Sequence, residues 1–189
     1  MSKNLLTRLA RALDEAHISY MIIGGQAVLL YGEPRLTRDV DVTVGLTPHD
    51  VEQVVDVVRR VALRLLVQDV EDFVQRTWVL PALDEETGLR VDFIFSWTPY
   101  ERGALERARE VEVEGYPVRF ASPEDVIIHK VLAGRPRDLE DIRSILRKQS
   151  PDIEYIRNWL RQFEATLGTD YAARFEEVLR SAEGGEPSP

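Results

Sequence analysis

Two aspartates separated by a single valine, in the run Asp39-Val40-Asp41-Val42, carry the chemistry this chain is best equipped to perform. Successive side chains of a strand alternate between faces, so both carboxylates lie on one side and the valines on the other. Like charges roughly 5–7 Å apart on an apolar strand repel, and a shared divalent cation relieves that repulsion. A third acid, Asp92, interrupts the equally apolar run Leu89-Arg90-Val91-Asp92-Phe93-Ile94-Phe95. Three converging carboxylates can hold two magnesium ions, a pair that activates an attacking oxygen and steadies a leaving phosphate during in-line displacement. Spacing alone proves little, because 33 acids in 189 positions produce roughly six acid-x-acid pairs by chance. Context separates these acids from the rest. Most chance pairs fall on polar helix faces, whereas an unpaired charge in an apolar strand costs on the order of several kcal/mol.

The elements that would position these acids follow from hydrophobic periodicity. Leu5, Leu6, Leu9 and Leu13 predict a helix over Asn4 to Ala16, and Tyr20 to Ile23 predicts a strand closed by Gly24-Gly25. That glycine pair ends a strand and opens a helix, Gln26 to Tyr31, where backbone N–H groups and the helix dipole can receive a triphosphate. Val40 to Val44 reads as a strand, Pro48 to Leu66 as one long amphipathic helix, and Trp78 to Leu83 and Leu89 to Phe95 as two more strands. A short helix near Pro99 to Arg109 precedes a hairpin whose arms, Val111 to Val113 and Val118 to Phe120, flank Gly115. Ser122-Pro123-Glu124-Asp125 has the form of a capped helix start and Gly134 that of its stop. Further helices are expected around Leu139 to Leu146, Ile153 to Leu167 and Tyr171 to Ala182. Strands come first and helices last, so the fold class is α+β with a C-terminal helical part.

Composition narrows the setting. The chain has no cysteine, which removes thiol nucleophiles, iron–sulfur clusters and Cys-ligated zinc and suits a reducing, cytoplasmic location. Its three histidines leave carboxylates as the main metal donors, favouring magnesium, manganese or calcium. No apolar run approaches the roughly 20 residues that span a bilayer, so no membrane association is expected. Net charge is -9, but Ala121 to Arg161 holds eight basic and seven acidic residues, so the remainder carries -10. A phosphate-bearing ligand would be drawn toward that C-terminal third.

Taken together, Ile22-Ile23-Gly24-Gly25-Gln26-Ala27, then Gly32, Arg35, Thr37 and Asp39-Val40-Asp41-Val42, with thirteen residues between Gly25 and Asp39, resemble the nucleotidyltransferases of the DNA polymerase β superfamily. The likeness is greatest to their minimal and toxin-type branch, including the abortive-infection nucleotidyltransferases. Val91-Asp92-Phe93 fits that family's third acid. Ser122-Pro123-Glu124-Asp125 through Lys130, Arg135, Arg137-Asp138 and Asp141 resembles the C-terminal helices of the toxin-like members. The resemblance implies a polymerase-β-like palm, a mixed β-sheet flanked by helices, occupying residues 1–120. A C-terminal helical part, 121–183, would pack on this core, and 184–189 would be a disordered tail. It also implies two Mg2+ ions, with Mn2+ as a substitute, and transfer of a nucleoside monophosphate from a triphosphate such as ATP to a hydroxyl. Asp39 and Asp41 would then bridge the metals, and Asp92 would ligate the metal nearest the acceptor and help deprotonate its hydroxyl. Gly24, Gly25, Arg38 and Lys130 would contact the nucleotide. Many relatives carry serine after the first glycine of the pair; Gly25 leaves only backbone contacts there. Arg35 and Arg38 could instead pair with Glu33 and Asp39.

The contrast between the acidic body and the less acidic C-terminal third makes an RNA 3′ end, tRNA-like, the expected acceptor, with Arg135, Arg137, Arg143, Arg147 and Lys148 guiding the polyanion; the toxin-type likeness adds an antitoxin protein as a possible partner. Alternatives are a protein hydroxyl, an aminoglycoside, or a degenerate module that binds nucleotide without catalysis. Asp39-x-Asp41-x-Thr43-Val44 also matches the first motif of haloacid-dehalogenase-like phosphatases. Against that reading, the strand follows the acids here rather than preceding them.

Overall fold

Alternation of valine with polar residues makes Asp39–Val44 (β2) a strand with one buried face, and this strand occupies the middle of a seven-stranded mixed sheet. The computed structural model describes residues 4–96 and 98–183. The expected tail from Gly184 lies outside the described residues. Sheet order is β3-β4-β5-β2-β1-β7-β6, built from β1 (Tyr20–Ile23), β2, β3 (Arg64–Leu65), β4 (Val79–Asp84), β5 (Leu89–Phe95), β6 (Arg109–Val113) and β7 (Tyr116–Phe120). β2 runs parallel to β5 and β1 parallel to β7, whereas every other neighbour is antiparallel.

One sheet face is the core. Val40, Val42 and Val44 of β2 and Val91, Phe93 and Phe95 of β5 are all at most 2% exposed. Helix α1 (Leu5–Glu15) starts at Asn4, whose side chain accepts from the Leu6 N–H, and it buries Leu5, Leu9 and Leu13. Helix α3 (Val51–Arg60) buries Val51, Val54, Val55, Val57 and Val58. The two-residue hairpin turn puts Glu114 and Gly115 at φ 50° and 77°, as a twist-matched β-turn requires.

The chain divides into two compact units, Met1–Gln26 with Thr37–Ala121, and Ala27–Leu36 with Ser122–Pro189. Helix α2 (Gly24–Tyr31) therefore begins in the first unit and ends in the second. The second unit contains α6 (Pro123–Ala133), α7 (Pro136–Lys148), α8 (Ile153–Leu167) and α9 (Tyr171–Glu183). Ser122 caps α6 by accepting from the Asp125 N–H, and Gly134 ends it in the left-handed conformation.

One expectation needs correction, and one helix is added. The long helix over Pro48 to Leu66 is a 3-10 turn (Pro48–Asp50) followed by α3, which stops at Arg60. Ala62 turns left-handed at φ 59°, and Leu63 N–H donates back to the Val58 carbonyl, closing the helix. Leu63 and Leu66 continue the apolar rhythm but belong to the approach and exit of β3. Helix α4 (Val70–Thr77) has no counterpart in the sequence reading, because Val74 is its one fully buried side chain and its apolar stripe is correspondingly thin.

In the first unit, Arg8 Nη2 donates to Asp84 Oδ1 at 2.6 Å, with the carboxylate almost wholly buried. Burial raises the Asp84 pKa, but hydrogen bonds from Thr87 and Arg8 outweigh it and hold the group below the usual carboxylate range. A lowered folded-state pKa contributes stability above the unfolded value near 4 and loses it as pH falls through the folded value. Arg8→Ala should therefore cost about 2–3 kcal/mol at neutral pH. Urea midpoints should show that difference shrinking as pH falls below about 4 and closing only below the lowered folded value, where Asp84 is protonated in both proteins.

Candidate active site

The β2/β5 register brings the acids together. Asp41 lies directly opposite Asp92 and Asp39 opposite Arg90, so all four side chains emerge on the face away from the valine core. Asp39 is exposed, while Asp41 and Asp92 are half-buried. On the other side of β2, Ile23 pairs with Asp41, which sets the end of β1 and the start of α2 beside that carboxylate.

Gly24 makes this approach possible. Its φ is +62°, and a Cβ added there would run into the Asp41 carboxylate, with Cγ at 2.9 Å. Glycine is thus required twice, for the backbone conformation and for the space. The turn sets the first turn of α2, beginning with Gly24 and Gly25, beside the Asp41 carboxylate, a negative charge that the helix dipole favours. Gln26 Nε2 and Thr37 Oγ1 both reach the Asp39 carbonyl at 3.4 Å, tying the start of α2 and the preceding loop to the start of β2.

Arg90 is the residue that sequence reading passed over. Its Nε donates to Asp92 Oδ1 at 2.8 Å, with side-chain exposures of 50% and 18% for Arg90 and Asp92. The signal was present, since the alternation that pairs Asp39 with Asp41 also pairs Arg90 with Asp92. By donor type and backbone register the three carboxylates suit a hard divalent cation. Their side chains are not gathered, however: among the described residues no three acid or histidine side chains converge closely enough to hold a metal ion.

The second unit holds Lys130. Instead of presenting its charge to solvent, it is 7% exposed, with Nζ 2.8 Å from Asp138 Oδ1 and 2.7 Å from Asp141 Oδ2. Burial follows from α6, whose own Val126, Ile127, Ile128 and Val131 are buried on several sides of the helix, and an ammonium buried there requires the two carboxylates as partners. Arg35 donates through Nε and Nη2 to both Asp141 oxygens, so its partner is Asp141 and not Glu33. Burial raises the Asp141 pKa, yet Arg35 and Lys130 hold it below the usual range. The same helix binds the rest of the loop: Ser144 Oγ accepts from Glu33 N–H, Arg137 donates to the Leu36 carbonyl, and Gln149, the α7 C-cap, donates to the Tyr31 carbonyl. Arg38, expected at the nucleotide, is exposed in the first unit.

A family model described as nucleotidyltransferase of unknown function (DUF6036) matches residues 3–181. The chain belongs to this nucleotidyltransferase family. No curated protein matches it significantly. Solved structures share its fold at low identity. The solution structure of antibiotic-resistance factor ANT(2″)-Ia is 19% identical with a TM-score of 0.62, covering 87% of this chain and 93% of that one. An antigenic nucleotidyltransferase-like protein from Paracoccidioides brasiliensis is 17% identical at TM-score 0.57, covering 93% and 90%. Lincomycin-bound lincosamide antibiotic adenylyltransferase LnuA is 15% identical at TM-score 0.55, covering 79% and 99%. The polymerase-β-type α+β fold of this nucleotidyltransferase is thereby established, and a phosphatase fold is excluded. No described helix is long and apolar enough to cross a membrane.

Two measurements check this arrangement. Gly24→Ala should lower stability by at least about 1 kcal/mol, from the left-handed backbone alone, and abolish nucleotide use by displacing the Asp41 carboxylate. Lys130→Met should cost about 2–3 kcal/mol in denaturant unfolding, because it removes the ammonium that Asp138 and Asp141 share and leaves them only Arg135 and Arg35. A surface lysine would cost less than about 0.5 kcal/mol.

Proposed function

We propose that this nucleotidyltransferase moves a nucleoside monophosphate from a nucleoside triphosphate, ATP being the first to test, to a hydroxyl of a small molecule. The observation that carries the reading is the pairing of Asp41 with Asp92 across parallel strands, beneath a glycine turn that leaves room for the Asp41 carboxylate. Asp39, Asp41 and Asp92 would hold Mg2+ or Mn2+, which when bound would activate the attacking oxygen and neutralise the leaving pyrophosphate. Gly24 and Gly25 would offer backbone N–H groups to phosphate oxygens, and exposed Arg38 would add charge from the loop. Asp92 would receive the proton of the acceptor hydroxyl.

A small acceptor is favoured over RNA by the state of the basic residues. Arg135 pairs with Asp138 and Lys148 with Glu33, while Arg137 and Arg143 donate to the Leu36 carbonyl and to Ser181. With Arg135 and Lys148 facing carboxylates, two of the five charges of that track are partly balanced, which weakens its pull on a polyanion. Two proteins of similar fold are described as an antibiotic-resistance factor and as a lincosamide adenylyltransferase, which makes aminoglycosides and lincosamides the first acceptors to test.

Each labelled nucleoside triphosphate is incubated with the protein and Mg2+ or Mn2+, and separately with a panel of hydroxylated small molecules, total RNA and cell protein. Label is expected in the small-molecule fraction. Label in RNA alone would establish the toxin-type reading with its antitoxin partner to be sought, and label in protein alone a protein-modifying activity. Nucleotide binding with no transfer to any fraction would identify a degenerate module. Asp41→Asn should reduce transfer by about a thousandfold, roughly 4 kcal/mol of transition-state stabilisation. Asp39→Asn should also abolish it, yet leave the metal-free melting temperature equal or higher by relieving like-charge repulsion. A large fall in melting temperature would make Asp39 a structural residue.

A further inference from the structure

We propose that the acceptor is an uncharged amphiphile, a hydroxyl carried on an apolar frame, and that Val79, Pro81, Leu83 and Ile94 form the surface receiving that frame; this rests on Gly24 and Gly25 holding the phosphates and Asp92 taking the proton. In-line displacement fixes the side from which the acceptor comes. Its oxygen bonds to the α-phosphorus as the bond to pyrophosphate breaks, the attacking and leaving oxygens lying roughly in line, and the hydroxyl proton passes to Asp92. The phosphates enter from the β1 side, because Ile23 is paired with Asp41 and Gly24 follows it. The acceptor therefore lies on the other side, over β5 and β4.

Register identifies what it meets there. Directly opposite residues of paired strands share a face, so Val79, Pro81 and Leu83 of β4 stand on the same face as Ile94, Asp92 and Arg90 of β5. Asp92 is thus flanked by Pro81 across the strands and by Ile94 along its own strand, two residues or ~7 Å away. Val79, Leu83 and Ile94 are half-buried, which leaves apolar area to cover, and buried Pro81 lies between Val79 and Leu83. Past Asp41 the same face is closed over β1 and β2, where Met21 and Thr43 are 0% and 2% exposed. The open apolar area lies on the acceptor's side.

The charges argue the same way. Among the described residues of β4 and β5, this face carries one acid, Asp92, which Arg90 engages; Arg64 of β3, opposite Leu83, has its guanidinium on Glu85. A polycationic acceptor needs several carboxylates beside its ammonium groups, and a polyanion needs cations not already committed to carboxylates. A neutral apolar frame needs neither. Its docking removes from water its own surface and that of three half-buried side chains, and it strands no polar group.

The test gives the full chain two acceptors that differ only in an apolar tail, octyl β-glucoside below its micelle concentration and methyl β-glucoside, with Mg2+ and labelled nucleoside triphosphates. Tobramycin and a short RNA are run beside them. The kcat/KM for the octyl compound should exceed that for the methyl compound at least about tenfold, the gain from burying roughly two methylene groups. Ile94→Thr and Val79→Thr keep a β-branched side chain but add a hydroxyl, and each should reduce that ratio severalfold; two variants preserve the comparison should one fold poorly. A merely structural role would lower both rates alike and leave the ratio intact. Saturation-transfer NMR should show the tail protons in contact with wild type and less so with Ile94→Thr. Equal use of the two glucosides, no tail contact, an intact ratio in both variants, or preferred labelling of tobramycin or RNA overturns the inference alone. Transfer that survives Asp41→Asn, or tail contact in a protein that labels none of the four acceptors, refutes the acids as the transfer site, and the amphiphilic acceptor falls with them.

Discussion

A slip of one residue between β2 and β5 would turn Asp39 and Asp41 into the core and leave three valines in water. The register that prevents this is held from the opposite face of the sheet. Val40, Val42, Val44, Val91, Phe93 and Phe95 are all at most 2% exposed. At about 1.5–3 kcal/mol for each buried side chain, six of them contribute on the order of 10 kcal/mol. Repulsion between two carboxylates 5 Å apart is about 1–3 kcal/mol at effective dielectric constants between bulk water and a protein surface. The apolar face therefore outweighs the strain of the acidic one, and the acids are held together by residues that never touch them.

The same alternation explains why so much of the site was legible in the sequence. Period two in Asp39-Val40-Asp41-Val42 fixed which side chains share a face, and Gly24-Gly25 marked the turn beside them. Strand pairing was not legible, since alternation says which face a residue takes but not which strand lies alongside. That Asp41 meets Asp92 is a property of the fold, and only the family resemblance supplied it in advance. The Pro48 to Leu66 segment failed for a related reason. Apolar residues at helical spacing continue past Arg60, yet Ala62 adopts a left-handed conformation that no periodicity signals. Helix α4 went unseen because it buries little.

Charge was harder to read than pattern. Lys130 has the spacing of a helix-surface lysine when counted alone, but its helix carries apolar residues on several sides, and such a helix lies inside its unit. Its ammonium joins Asp138, Asp141 and Arg35 in one network whose members come from α6, α7 and the loop before β2. Sequence separation hid it: Arg35 and Asp141 are 106 positions apart. Counting charges in the C-terminal third gives their number but not their partners, which folding supplies: Lys130 and Arg35 meet Asp141, and Arg135 meets Asp138.

The excursion of residues 27–36 into the helical unit has a consequence for the order in which the protein is made. All the strands, and with them Asp39, Asp41 and Asp92, are synthesised before Ser122. The segment leading into Asp39 must nevertheless wait for Arg137, Asp141, Ser144 and Gln149, which secure Leu36, Arg35, Glu33 and Tyr31. On the ribosome the acids are therefore present early and their approach loop is secured late. A chain interrupted after the sheet would carry every carboxylate and still lack the helix that anchors that loop, so the loop is secured only once synthesis has passed Gln149.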